Sequence, residues 1–153
     1  MDTDSRPGIK FLGVDLLELH FAIRGEVPER IPWGLSLKVT SEVSEDSKSL
    51  EVFLSADLFG AIKEEERPPI TCAFTLRGRF EATEQMAMTM QDFAKHNAPA
   101  NLVPYARELI ANVTSRSTLP TLNLGPVNVI AMIDEGIAEF VLHEASKPSQ
   151  ETP

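Results

Sequence analysis

The sequence predicts an α+β domain, a four-stranded antiparallel sheet with helices packed on one of its faces. Three observations carry that expectation. Runs with two-residue periodicity fill the first half of the chain, helical spacing fills the second, and the breakers between the runs suit antiparallel connections. A length of 153 residues is enough for one domain with its own core, here placed at residues 1–143.

The first run, Ile9 to Ile23, is apolar at Leu12, Val14 and Leu16 and then at Leu17, Leu19, Phe21 and Ile23. Its parity slips between Leu16 and Leu17, as one extra residue in a β-bulge would make it do. Ala22 to Gly34 is too long and too rich in breakers for a tight hairpin, so it is expected to cross to another part of the sheet. In the second run Leu35, Leu37, Val39 and Val43 share one parity, while Ser36, Lys38, Thr40 and Glu42 take the other. That is a half-buried strand. The third run places Leu50, Val52, Leu54, Ala56 and Leu58 on one face, and the polar SEVSEDSKS before it suits a hairpin turn. After the breaker KEEERPP, the fourth run alternates Cys72, Phe74, Leu76, Gly78 and Phe80 with Thr71, Ala73, Thr75, Arg77, Arg79 and Glu81.

Helical spacing then takes over. Met86, Met90, Phe93 and Ala94 predict a short helix, and Leu102, Tyr105, Ala106, Leu109, Ile110 and Val113 fall on one stripe of a longer one. Pro104 is tolerated near a helix N-terminus, which sets the expected start at Asn101 to Val103. Beyond Arg116, Leu119, Leu122, Leu124 and Val127 are interspersed with Pro120, Asn123, Gly125 and Pro126, a mixture that neither helix nor central strand accommodates. The segment reads as an ordered, extended apolar loop, which either packs over the core or offers apolar contacts. Ile130, Ile133, Ile137, Phe140 and Val141 predict a last helix over Val129 to Leu142, with Gly136 as its weak point. The tail, Glu144 to Pro153, has little to bury and is expected to be disordered.

Composition narrows the chemistry. With 14 basic and 23 acidic residues the net charge is -9, which opposes nucleic-acid phosphates and anionic membranes. No run of 18 apolar residues and no basic-then-apolar leader is present, so the expectation is a cytoplasmic protein without membrane insertion. The lone Cys72, in an alternating strand, reads as a small buried hydrophobe. His20, His96 and His143 fall on separate elements, and no Cys or His pair has metal-site spacing. Phosphate-cradling glycine motifs and a GxSxG elbow are absent as well. Nothing points to a cofactor, a metal or catalysis, and the reading is of a protein that is not an enzyme.

PYARE at Pro104 to Glu108, SR at Ser115 and Arg116, and LPTLNLGPVN at Leu119 to Asn128 resemble the signature region of SecB-type protein-export chaperones. Trp33 matches the tryptophan that family carries on the corresponding crossover. The resemblance implies an ATP-independent holdase that keeps unfolded precursor proteins competent for export. It also implies a homotetramer built as a dimer of dimers, with the signature helices between dimers and Tyr105, Ala106, Leu109 and Val113 offered as the interface. Client contacts fall to Trp33, Leu35, Leu37 and Val39, to Leu119, Leu122 and Leu124 of the loop, and to Phe140. In that family an acidic outer sheet surface helps engage the motor ATPase SecA. Here the fourth run instead exposes Arg77 and Arg79, leaving Asp15 as the retained docking candidate. Two other readings stay open: a SecB-like chaperone dedicated to one client such as an antitoxin, and a non-chaperone oligomeric scaffold.

Overall fold

The computed structural model describes residues 8–27, 29–60, 69–83, 87–125 and 127–144. The four runs are strands β1 (Ile9–Ile23), β2 (Trp33–Val43), β3 (Ser49–Gly60) and β4 (Ile70–Ala82). Helices α1 (Met90–His96), α2 (Ala98–Ser115) and α3 (Val129–Asp134) follow, and the chain returns to the sheet as β5 (Glu139–Glu144). The sheet order is β1-β4-β3-β2-β5. β5 runs parallel to β2, and every other pairing is antiparallel.

Register puts the apolar parities on one face. A single row of Cα partners, Phe140, Val39, Leu54, Leu76 and Leu16, crosses all five strands. The helices cover this inner face, and Val39, Val52, Ile70, Leu102 and Ile110 beneath them are almost fully buried. The first connection does cross over, since β1 pairs with β4 and not with β2. The bulge expected between Leu16 and Leu17 is there, as a register shift between Leu16 and Glu18. A second shift, between Phe11 and Gly13, leaves Leu12 exposed, and Gly13 accommodates it with φ +145°. In the β2–β3 turn, the Asp46 carboxylate accepts hydrogen bonds from the Ser44 hydroxyl and the Lys48 N–H, while Ser47 takes φ +60°.

Thr89 caps α1 by accepting from the Asp92 N–H at 3.0 Å. The signature helix starts at Ala98, before the expected Asn101 to Val103, because Pro99 rather than Pro104 occupies the first turn. Pro104 lies inside the helix. It leaves the Ala100 carbonyl without an intrahelical donor, and both residues are exposed, so water can supply one. α2 sits close on β4 because position 78 has no side chain: a Cβ there would lie 2.7 Å from Leu102 Cδ2.

The predicted helix over Val129 to Leu142 is corrected by the structure. It stops at Asp134, Gly136 turns the chain at φ +77°, and Phe140 and Val141 belong to β5. An αL glycine ends a helix readily, and the free edge of β2 then recruits the apolar run as a strand. The fold is therefore a five-stranded mixed sheet rather than four antiparallel strands. Met86 and the tail after Glu144 lie outside the described residues.

Candidate functional site

Past α2 the chain turns and doubles back along the same helix. Leu122 and Leu124 turn inward while Thr121, Asn123 and Gly125 stay exposed, so the segment forms an extended strap with one apolar edge. Two hydrogen bonds fasten it. The Leu122 N–H donates to Thr114 Oγ1 at 2.9 Å, and Arg107 Nε donates to the Leu124 carbonyl at 3.0 Å. Thr114 is fully buried and its hydroxyl also donates to the Ile110 carbonyl at 2.8 Å, which fixes it to accept from the strap. At the turn itself the Ser117 hydroxyl donates to the Thr114 carbonyl and accepts from the Leu119 N–H.

Between strap, helix and sheet runs an apolar seam. β2 contributes Leu35 and Leu37, β3 Leu54 and Ala56, β4 Phe74, α2 Val103, Ala106, Arg107 and Ile110, and the strap side Leu124, Val127 and Val129. Its interior is about 20 Å³, room for roughly one water molecule. The seam is closed to a side chain unless the strap lifts. Among the described residues, Arg107 is the one charged residue in the lining.

Three of the residues expected at client contacts, Leu35, Leu37 and Leu124, meet in this seam. Val39 lies farther along β2 and is fully buried beneath the helices. Leu119 is buried at the turn of the strap, and Leu122 packs partly buried against the core. Trp33 opens β2 opposite Gly60, half-buried at the far end of the strand. Phe140 stands on β5 beside Val39. The four proposed interface residues divide. Ala106 turns into the seam, whereas Tyr105 and Leu109 line an open depression of about 290 Å³ with Val14, Leu16 and Leu76, and Val113 is half-buried. Arg107 carried no sequence signal, because it falls outside the apolar stripe of its helix.

On the outer face Asp15 is already engaged. Its Oδ2 accepts from Arg77 Nη2 at 2.8 Å and lies 3.2 Å from Arg79 Nε, while Arg77 Nη1 is 3.9 Å from Glu51. The Arg77 hydrogen bond holds the Asp15 carboxyl below its ordinary value. Burial pushes the Cys72 thiol up to about 11, with Asp57 adding to the effect, so it stays protonated near neutrality. Among the described residues no cluster of His, Cys, Asp or Glu is placed to hold a metal ion, and no helix is long and apolar enough to cross a membrane.

Comparison with known proteins places the chain in a family. The family model described as preprotein translocase subunit SecB matches residues 28–139. An uncharacterized protein of Methanocaldococcus jannaschii is 26% identical over 136 residues, which are 87% of each chain. The protein-export protein SecB of Haemophilus ducreyi is 30% identical over 103 residues, covering 67% of this chain and 59% of that one. Among solved structures, the SecB-like chaperone of Mycobacterium tuberculosis, in complex with a peptide from the HigA1 antitoxin, aligns with a TM-score of 0.65. That alignment is at 18% identity over 78% of this chain and 90% of that one. Strands β2 to β4, the signature helix and the strap described above sit within the matched span, and the chain belongs to the SecB family of chaperones.

Proposed function

We propose that the protein is an ATP-independent holdase that takes extended apolar segments of unfolded precursor polypeptides into the seam beneath its strap and keeps them competent for export. The observation that carries this reading is a narrow, almost wholly apolar seam whose cover is held by two hydrogen bonds and a few leucine side chains. Such a cover is held by a few kcal/mol, since an ordinary hydrogen bond contributes only about 0.5–1.5 kcal/mol net and one from a charged group about 1.5–3 kcal/mol. Each client side chain that replaces it removes apolar surface from water, worth about 1.5–3 kcal/mol before ordering costs. Selectivity is then for unfoldedness, because a folded protein has already buried the segments the seam would accept.

The proposed working form is a cytoplasmic homotetramer. β1 is a long edge strand with Leu16, Leu17 and Leu19 exposed, and Tyr105 and Leu109 continue that apolar surface across the depression beside it. Unpaired edges of this kind are covered in stable proteins, and covering this one with further copies would set several seams side by side for one long client.

A second reading, a chaperone dedicated to one client such as an antitoxin, is favoured by the outer face. Asp15, the docking candidate for the motor ATPase SecA, is tied to Arg77 and Arg79, so its carboxylate is already engaged rather than free for a basic partner. The test dilutes several unrelated, chemically unfolded clients into buffer with and without the protein, in the absence of nucleotide. Suppression of aggregation near one tetramer per client, weakened by Trp33→Ala or Leu37→Ala, is the expected result. Suppression confined to a single client moves the weight to the dedicated reading, and tight binding to one native partner alone favours a scaffold.

A further inference from the structure

β5, like β1, lies beyond the family match and does not line the seam. The match ends at residue 139, where the strand begins. The six residues of β5 pair with Lys38–Val43 of β2 alone and leave Trp33–Leu37 without a strand neighbour on that side among the described residues. Leu35 and Leu37 of that uncovered stretch line the seam. A segment of extended polypeptide laid beside Leu35 and Leu37 therefore lies in line with β5, along the same edge of the same strand.

Several features make β5 the weakest-held strand of the sheet. Its pairing is parallel, slightly less stable per residue than the antiparallel ladders beside it. Leu142 stands opposite Ser41, whose buried hydroxyl has no hydrogen-bond partner among the described residues. The Lys38–Glu139 ion pair is 3.9 Å long between side chains that are 51% and 64% exposed, a geometry that holds little. Upstream, Gly136 at φ +77° and the exposed Ile137 give the strand a hinge. Phe140 nevertheless fills a place in the apolar row of the inner face beside Val39, as a client side chain would.

We propose that β5 is a self-strand, the chain's own extended segment occupying the Lys38–Val43 edge of β2 into which an extended client seated beside Leu35 and Leu37 continues, so that full capture requires its release. The inference rests on the holdase reading and extends the client's path from the seam along the same edge of β2, where β5 is its intramolecular competitor. In the unloaded protein β5 covers an edge that would otherwise pair with other chains; in the loaded one the client's backbone replaces it hydrogen bond for hydrogen bond.

The test locks β5 in place while leaving the backbone ladder intact. Thr40 and Val141 are Cα partners across the parallel ladder, within the reach of a disulfide. They lie on the outer face, away from the seam. The native Cys72, fully buried and with its thiol raised to about 11, stays out of the exchange. Suppression of aggregation of an unfolded, non-native client is measured for the double variant Thr40→Cys/Val141→Cys, oxidised and then reduced, beside the two single-cysteine variants. The expected result is that oxidation raises the concentration needed for half-suppression by about tenfold or more, the scale set by losing even one or two net backbone hydrogen bonds. Reductant restores wild-type behaviour, and the single variants ignore the oxidant. Equal suppression in oxidised and reduced forms overturns the self-strand while leaving the holdase intact. No suppression by the reduced and wild-type proteins alike sinks the holdase reading and the self-strand with it.

Discussion

On the inner face of the sheet, Val39, Val52, Ile70 and Cys72 are completely shielded, and Phe80 stacks on Phe11 at a ring distance of 5.0 Å and meets Phe93 edge-to-face at 5.2 Å. On the outer face the same strands carry Arg77, Arg79, Asp15 and Glu51, with 32–41% of each side chain in contact with solvent. One face is held by burial, which is insensitive to pH and costly to interrupt. The other is held by ion pairs that water screens. The contrast separates two kinds of residue in a fold of this type: changes on the inner face act on stability and on the seam, while changes on the outer face act on charge and on whichever partner meets the sheet.

The largest break in that contrast is expected from Phe80→Ala, which empties a well-packed aromatic site. Denaturant unfolding should record a loss of about 3–5 kcal/mol. A paired glycine experiment sharpens the comparison. At Gly78 a new methyl group would meet Leu102, which is fully buried and has nowhere to go, so Gly78→Ala should cost about 1–3 kcal/mol. At Gly34, on the outer face, the same methyl group would meet the ring of half-buried Phe59, which can swing outward. The Gly34→Ala loss should be clearly the smaller of the two by the same measurement.

Thr114→Val keeps the shape of the helix face but removes the acceptor of the Leu122 N–H. It should cost about 1–3 kcal/mol and speed amide hydrogen exchange at Leu122, with Thr114→Ser restoring much of the protection. The smallest effect belongs to the outer face and appears as a pH dependence. Because the folded-state pKa of Asp15 is depressed below 3.8, chiefly by the Arg77 hydrogen bond, its contribution is complete above that value and is lost as pH falls through the lower folded one. Asp15→Asn should lower the stability-versus-pH curve slightly near neutrality and meet the wild-type curve at low pH, so that its acid limb is flatter.

Most of the sheet was legible in the sequence because period-two alternation and burial on one face are two descriptions of the same geometry. Leu35 to Val43, Leu50 to Leu58 and Cys72 to Phe80 needed only their parity, and the slip at Leu17 announced its own bulge. The last element was misread because a short apolar run such as Phe140 to Leu142 has no distinguishing period. Its state was decided by the open edge of β2, which lies about a hundred residues away in the chain. The site was half legible. Leu35, Leu37 and Leu124 were named from pattern and resemblance, whereas Arg107 entered through a backbone hydrogen bond across the strap that no spacing encodes.

What the sequence determined by itself was the strand count up to β4, the inner and outer faces, the existence of the signature helix and the family it belongs to, all of which follow from local periodicity and local motif. Only the tertiary structure decided that the strap folds back onto α2, that Ala106 turns inward while Tyr105 turns out, that Asp15 is spoken for by two arginines, and that Glu139–Glu144 form a strand. Each of these depends on which side chain meets which across long sequence separations. The helical or extended state of a few residues costs too little free energy to be fixed before that meeting takes place.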